Sequence, residues 1–280
     1  MHYLLSHDLA TTIHERTRTQ VLEAERRGIT PQLGVVLVGQ DPASVRYIEM
    51  KSKQAKLNGI TVSLYHLEEE STFAQVEEVL SFLSQDSDIH GIILQLPLPA
   101  QFTPEQTDQL LNTISAEKDV DGLRGDWLEL NDWGVTTDSF FAQHAYSLPP
   151  MVGSVLSLLD TYHVTLEGKK IVLVGEGRLV GGPLLRYLSK LGLDVTAVTE
   201  ETPKILDYTK SADILISGTG QDDLITYQWV KEGGVVVDCA KDVHEDSVKQ
   251  VVSALAPSHG GVGPLTIAWL LYNTVQASLR

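Results

Sequence analysis

Tyr47 and Lys51 stand four residues apart in the stretch "DPASVRYIEMKSKQAKLNGI", residues 41–60. Asp41 followed by Pro42 is a good N-cap and first-turn pair, and Gly59 is a good stop, so a helix is predicted between them. On that helix Val45, Ile48 and Ala55 share one side. Tyr47 and Lys51 share another, with Ser44 one turn earlier. A tyrosine–lysine pair on one face can hold a flat ring and set an ammonium beside it. The commoner outcome of such spacing is a solvated lysine that packs a tyrosine.

Two further strings carry polar groups that need partners. In "GIILQLPLP", residues 91–99, Gln95 interrupts an apolar run. A buried amide without a partner costs on the order of 1–3 kcal/mol, so Gln95 should be bonded. It falls at the carboxyl end of its strand, where ligands bind in open α/β sheets, although a bond to a nearby loop would satisfy it equally. In "EKDVDGL", Asp119 and Asp121 bracket a valine ahead of Gly122. Either they cap a turn, or one carboxylate accepts hydrogen bonds from an amino-heterocycle.

The fourth string is "VLVGEGRLVGGP", residues 172–183. Gly175, Gly177 and Gly181 follow a hydrophobic run, as in the turns that cradle a dinucleotide phosphate. Glu176 puts negative charge where the phosphate would lie. The spacing Gly-x-Gly-x-x-x-Gly is one residue longer than the strict fingerprint, and a ligand-free strand-to-helix turn can read the same way.

These groups are spaced along alternating strands and helices. Strands are expected at 33–39, 60–67, 90–99, 170–175, 194–199, 212–218 and 234–240, and helices at 43–58, 72–84, 104–114, 181–191 and 244–254. Such alternation gives βαβ units and parallel sheets buried on both faces, an α/β fold. The pattern lapses over 120–148, and a domain boundary is placed near 148. A last helix, 263–279, has Pro264 in its first turn and an apolar side broad enough to be buried.

The 280 residues suit one large domain or two modest ones. Lys and Arg number 21 against 37 Asp and Glu, a formal charge of −16. That argues against nucleic acid or an acidic membrane surface as partner, and leaves an anionic ligand to local basic residues or backbone N–H groups. Cys239 is the single cysteine, so no intrachain disulfide forms and a reducing compartment is expected. The first twenty residues lack the apolar core of a signal peptide, and no run approaches a membrane span. A cytoplasmic protein is the expectation.

In combination, "DPAS..YI..K.K....GI", "GIILQLPLP", "KDVDG", "VGEGRLVGGP" and "GGVGPLTIAWLLYNT" occur in one order, spread from about Leu33 to Leu279. Together they resemble the bifunctional methylenetetrahydrofolate dehydrogenase/methenyltetrahydrofolate cyclohydrolase family. The resemblance implies two α/β domains, with the active site in the cleft between them, and usually a homodimer. Residues 1–148 would form a folate-binding catalytic domain with helix 264–280 packed back on it, and 149–263 a Rossmann-like domain binding NAD or NADP. By the same resemblance Lys51 is the main catalytic group, Gln95 its partner and Tyr47 a pterin contact. Asp121 grips the pterin, Gly263 and Pro264 line the substrate site, and Gly175, Glu176, Gly177, Gly181, Glu200 and Ala240 line the cofactor site. No metal is implied.

The sequence departs from that family in four places. "PPMVGS", residues 149–154, stands where a Pro-Cys-Thr-Pro-like run usually enters the second domain. The loop after Asp238 is short, and Ser258-His259 replaces Val-Pro. Members that use NADP read Gly-Arg-Ser where this chain has Gly175-Glu176-Gly177, and Glu200 and Glu201 end the next strand. An acidic residue about 20 positions beyond the glycine turn bonds the ribose of NAD, so NAD is favoured over NADP. A folate-binding paralogue without the redox step, keeping only the cyclohydrolase or serving as a partner subunit, is the alternative.

Overall fold

The computed structural model describes residues 1–129 and 147–280, so 130–146 of the expected irregular stretch lie outside the described residues. The chain divides into two compact units, one built around residues 12–129, 147–150 and Ile267–Arg280, the other around Met1–Thr11 and Met151–Thr266.

In the first unit three parallel strands, β2 (Gln32–Val38), β3 (Thr61–Leu67) and β4 (Gly91–Leu94), lie in the order β3-β2-β4. Central β2 is apolar on both faces because both are covered. Leu33, Val35 and Leu37 join one cluster with Ile48 and Ala55 of α2 (Pro42–Leu57) and with Leu270, Leu271 and Val275 of α9 (Gly263–Ser278). Val36 and Val38 face a second cluster, with Val76, Leu80 and Leu83 of α3 (Phe73–Gln85) and Leu110 of α4 (Pro104–Thr113). The period of two along the strand is what divides the core. Helices α3 and α4 start at capping boxes, Thr72 with Gln75 and Thr103 with Gln106. Gly91 admits no side chain, since a Cβ would sit 2.9 Å from Val120 Cγ1 and 3.2 Å from Thr274 Cγ2.

The second unit holds six parallel strands in the order β1-β9-β8-β7-β5-β6. They are β1 (His2–Tyr3), β5 (Ile171–Val174), β6 (Val195–Val198), β7 (Ile214–Ser217), β8 (Val235–Asp238) and β9 (Ala254–Ala256), with the short helix α7 (Ile205–Thr209) between β6 and β7. The order reverses at β5, which has β6 on one side and β7 on the other. Ligands of open α/β sheets bind at such a switch point, outside the carboxyl ends of the strands.

Three elements differ from the sequence reading. The helix expected over 244–254 is only α8 (Glu245–Val248), and the chain then enters β9, paired with β8 on one side and β1 on the other. Sheet pairing there outweighs the helical spacing of Val248, Val251 and Val252. Helix α1 (His7–Arg26) was not anticipated, because its polar sequence hides a narrow buried stripe of Ala10, Ile13, Thr17, Val21 and Ala24. "PPMVGS" opens another unanticipated helix, α5 (Pro150–Thr161).

Candidate active site

Asp41 caps α2 as its sequence predicts, its carboxylate accepting the Ser44 N–H at 2.7 Å, and Gly59 turns the chain away at φ +80°. The face assignment needs correcting. Lys51 is not set apart from the apolar side: Ser44, Ile48, Lys51 and Ala55 form one buried stripe. Steps of four, three and four residues keep them in line on a helix. Lys51 is therefore 5% exposed rather than solvated. Its Nζ donates to Gln95 Oε1 at 3.1 Å and lies 4.4 Å from the centroid of the Tyr47 ring. Gln95, just beyond the end of β4, also donates from Nε2 to the Leu96 carbonyl at 2.7 Å. Its buried amide thus has the partner its burial requires.

The electrostatics of this group follow from burial. Desolvation pushes the Lys51 ammonium below its ordinary value, and the nearby Asp121 carboxylate opposes that. Burial also pushes Tyr47 up, with Asp121 adding to it. A neutral amide as the hydrogen-bond partner favours the ammonium less than a directly bonded carboxylate would.

The two aspartates divide the roles that the sequence left open. Asp119 makes the turn: its Oδ2 accepts the Arg124 N–H at 2.9 Å, and it is almost wholly buried. Desolvation pushes it up to about 6. Arg124 fixes the far side of the turn, donating to the Asn112 and Ile114 carbonyls at 2.8 and 2.6 Å and pairing with Asp126. Asn273 of α9 donates to the carbonyls of Val120 and Leu148 at 2.9 and 2.8 Å. Asp121, half-buried, accepts no hydrogen bond among the described residues. Burial pushes its carboxyl up and Lys51 pulls it down. Asp119 thus takes the turn-capping role that the string "KDVDG" offered to either acid.

In the second unit β5 ends at Val174 and Gly175 turns the chain at φ +91°. A Cβ on Gly181 would lie 1.9 Å from the Gly175 carbonyl oxygen, so turn and helix pack backbone to backbone. At Gly177 a Cβ would meet nothing within 4 Å. The helix does not start directly after Gly177. Helix α6 (Gly181–Lys190) is preceded by a turn over 178–180, and the Gly182 N–H bonds back to the Gly177 carbonyl. The one extra residue in the glycine spacing is taken up there. No side chain caps α6, so the open backbone at Gly177 and this helix start fit a dinucleotide phosphate. Glu176 and Glu200 are both exposed, and Gly263 and Pro264 are exposed at the start of α9.

Ala240 lies just past β8, its N–H given to Asp238 Oδ1 at 3.2 Å. The sequence reading named neither Asp238 nor Asp242 for a role, yet both are buried there. Their signal was an apolar strand ending in an acid, with a second acid four residues on. Among the described residues no group of three or more His, Cys, Asp or Glu could hold a metal ion, and no helix is long and apolar enough to cross a membrane.

A glycine-rich strand-to-helix turn at the reversal of a parallel sheet, on a chain that also carries a buried lysine held by a neutral amide, defines an α/β enzyme of the dinucleotide-linked class. Residues 4–121 match the family model of the tetrahydrofolate dehydrogenase/cyclohydrolase catalytic domain, and 149–280 that of its NAD(P)-binding domain. The bifunctional protein FolD of Shouchella clausii is 34% identical over 279 residues, 98% of this chain and 96% of that protein. The crystal structure of the bifunctional enzyme FolD, methylenetetrahydrofolate dehydrogenase/cyclohydrolase, from Campylobacter jejuni is similar with a TM-score of 0.88 at 33% identity, covering 100% of this chain and 99% of that one. The Trypanosoma brucei dehydrogenase-cyclohydrolase, complexed with NADP and an inhibitor, gives 0.85 at 28% identity over 99% and 96% of the two chains. The chain belongs to the tetrahydrofolate dehydrogenase/cyclohydrolase family.

Proposed function

We propose that Lys51, Gln95, Tyr47 and Asp121 carry the chemistry of this family in this chain, and that NAD is its preferred cofactor. The two reactions are oxidation of 5,10-methylene-tetrahydrofolate to the 5,10-methenyl cation with NAD(P)+, and hydrolysis of that cation to 10-formyl-tetrahydrofolate. The observation that carries the role assignment is the buried Lys51 amine, held at 3.1 Å by a neutral amide and depressed by burial. In hydrolysis, water adds to the bridging carbon and one C–N bond breaks. A neutral Lys51 amine takes a proton from the water and can return it to the departing nitrogen. A cationic substrate nearby favours that neutral form further. Gln95 keeps the amine in place without neutralising it, and the Tyr47 ring offers a flat face to a pterin. Asp121, which accepts no hydrogen bond among the described residues, would accept from the pterin's amino and ring N–H groups.

Hydride loss is assisted by the folate's own nitrogen, so the protein's task there is positioning. Gly175, Gly177, Gly181 and the start of α6 would hold the pyrophosphate, with Glu200 on the adenosine ribose and Ala240 in the pocket wall. Bound there, the nicotinamide supplies the hydride acceptor. Glu176 and Glu200 favour NAD because a 2′-phosphate would meet two carboxylates, and like charges at a binding site cost several kcal/mol. Titrating NAD and NADP separately against the purified protein, and following absorbance with methylene-tetrahydrofolate, tests this reading. Tighter binding of NADP than of NAD overturns the cofactor assignment, and binding of neither removes the redox step. A cytoplasmic homodimer completes the proposal, and sedimentation of the pure protein tests its dimeric state.

A further inference from the structure

Two buried carboxylates in the second unit have no part in the roles assigned above. Asp238 ends β8 and Asp242 follows four residues later; they are 2% and 0% exposed. Asp238 folds the short loop after its strand, accepting N–H groups from Ala240, Asp242 and Val243 at 3.2, 2.9 and 3.2 Å. That turn brings Asp242 to the neighbouring loop after β7. There Asp242 Oδ2 accepts the Ser217 hydroxyl at 2.5 Å and the Thr219 N–H at 2.7 Å, and Oδ1 accepts the Gln221 N–H at 3.0 Å. The tied loop presses on the glycine turn without slack. A Cβ on Gly175 would meet Thr219 Cγ2 at 3.1 Å and the Gly218 oxygen at 3.2 Å, and one on Gly218 would meet Val180 Cγ1 at 2.5 Å.

We infer that Asp242 is a positioning residue for the dinucleotide: it clamps loop 218–221 to the end of β8 and so sets the wall beside the glycine turn. The inference rests on the reading that this unit binds NAD(P). In a sheet whose order reverses at β5, a dinucleotide lying across the strand ends has one half over β6 and the other over β7 and β8. The clamp therefore shapes the side away from Glu200. A carboxylate is needed because each oxygen receives a backbone N–H. An asparagine, whichever way its amide is turned, sets an NH2 against either the Thr219 or the Gln221 N–H.

The test is direct titration of NAD and NADP by calorimetry, without folate, against the wild type, Asp242→Asn and Ser217→Ala. Thermal melts and the cyclohydrolase rate without dinucleotide are measured alongside. The expected result is a roughly tenfold weaker dinucleotide Kd for Asp242→Asn, about 1.4 kcal/mol, and a smaller weakening, about two- to threefold, for Ser217→Ala, which loses one of the clamp's bonds. The cyclohydrolase rate follows only the folded fraction. Unchanged Kd in a folded Asp242→Asn overturns the inference. So does loss of both activities in proportion to unfolding with Kd preserved, the mark of a merely structural group. Should Asp242→Asn not fold, an unchanged Kd in Ser217→Ala overturns it. A wild type that binds neither dinucleotide instead defeats the underlying reading.

Discussion

Replacing Lys51 with methionine keeps the length of the side chain and removes the amine. Its stability consequences nearly cancel. Gln95 Oε1 loses its donor at 3.1 Å, and an orphaned buried acceptor costs about 1–3 kcal/mol. Against that, the depressed Lys51 shows that burying its ammonium is itself unfavourable, and a methionine in the stripe with Ile48 and Ala55 gains roughly 1.5–3 kcal/mol by burial. The variant should fold, within about 2 kcal/mol of the wild type. Catalysis has no such compensation. Loss of a positioned general base typically costs 10²–10⁴-fold, roughly 3–5 kcal/mol of barrier, so unfolding cannot account for the expected drop in rate. The assay is the decay of methenyl-tetrahydrofolate absorbance across pH, with a thermal melt as control. In the wild type the rate should rise with pH and level off below pH 10.5, the ordinary lysine value, because burial lets the amine lose its proton earlier. The methionine variant should lack that limb. A folded Lys51→Met that hydrolyses within about tenfold of wild type removes Lys51 from the mechanism, while Gln95→Ala should slow the same step by releasing the amine.

Other perturbations separate the remaining roles. Asp121→Ala should weaken folate binding and leave NAD(P) affinity alone; since Asp121 holds the Lys51 ammonium in its charged form, the alkaline limb of turnover at saturating folate should also move to lower pH. An unshifted limb with unchanged folate Kd would assign Asp121 to the turn after all. Asp119, raised from 3.8 to about 6, favours the folded state most below its unfolded value and loses that contribution as pH rises through 6. Denaturant titrations of wild type and Asp119→Asn from pH 4 to 7 should therefore diverge, the wild type losing roughly 2 kcal/mol relative to the variant; parallel curves refute the assignment. Gly181→Ala would drive a methyl into the Gly175 carbonyl, and should cost about 1–3 kcal/mol or more and weaken dinucleotide binding; a stable variant with normal titration contradicts the packing described.

The sequence by itself determined the alternation of strands and helices, the N-cap at Asp41, and the family, because these depend on local patterns. Hydrophobic period, turn residues and ordered motifs survive without knowledge of what packs where. It also implied that Gln95 needs a partner, since a buried amide demands one in any fold. Tertiary structure decided which partner. Lys51 and Gln95 are 44 residues apart, and only the packing of α2 on the sheet brings the amine and the amide together. The same holds for the aspartates: "KDVDG" reads as two interchangeable acids until the turn gives the Arg124 N–H to Asp119 and, among the described residues, no hydrogen bond to Asp121. Helix α1 was hidden because its buried stripe is narrow and contains Thr17. Strand β9 was hidden because three residues acquire strand character only from neighbours on both sides, β8 and β1. The clamp at Asp242 joins loops after two different strands, and adjacency of strand ends is a property of sheet order, which no local pattern encodes.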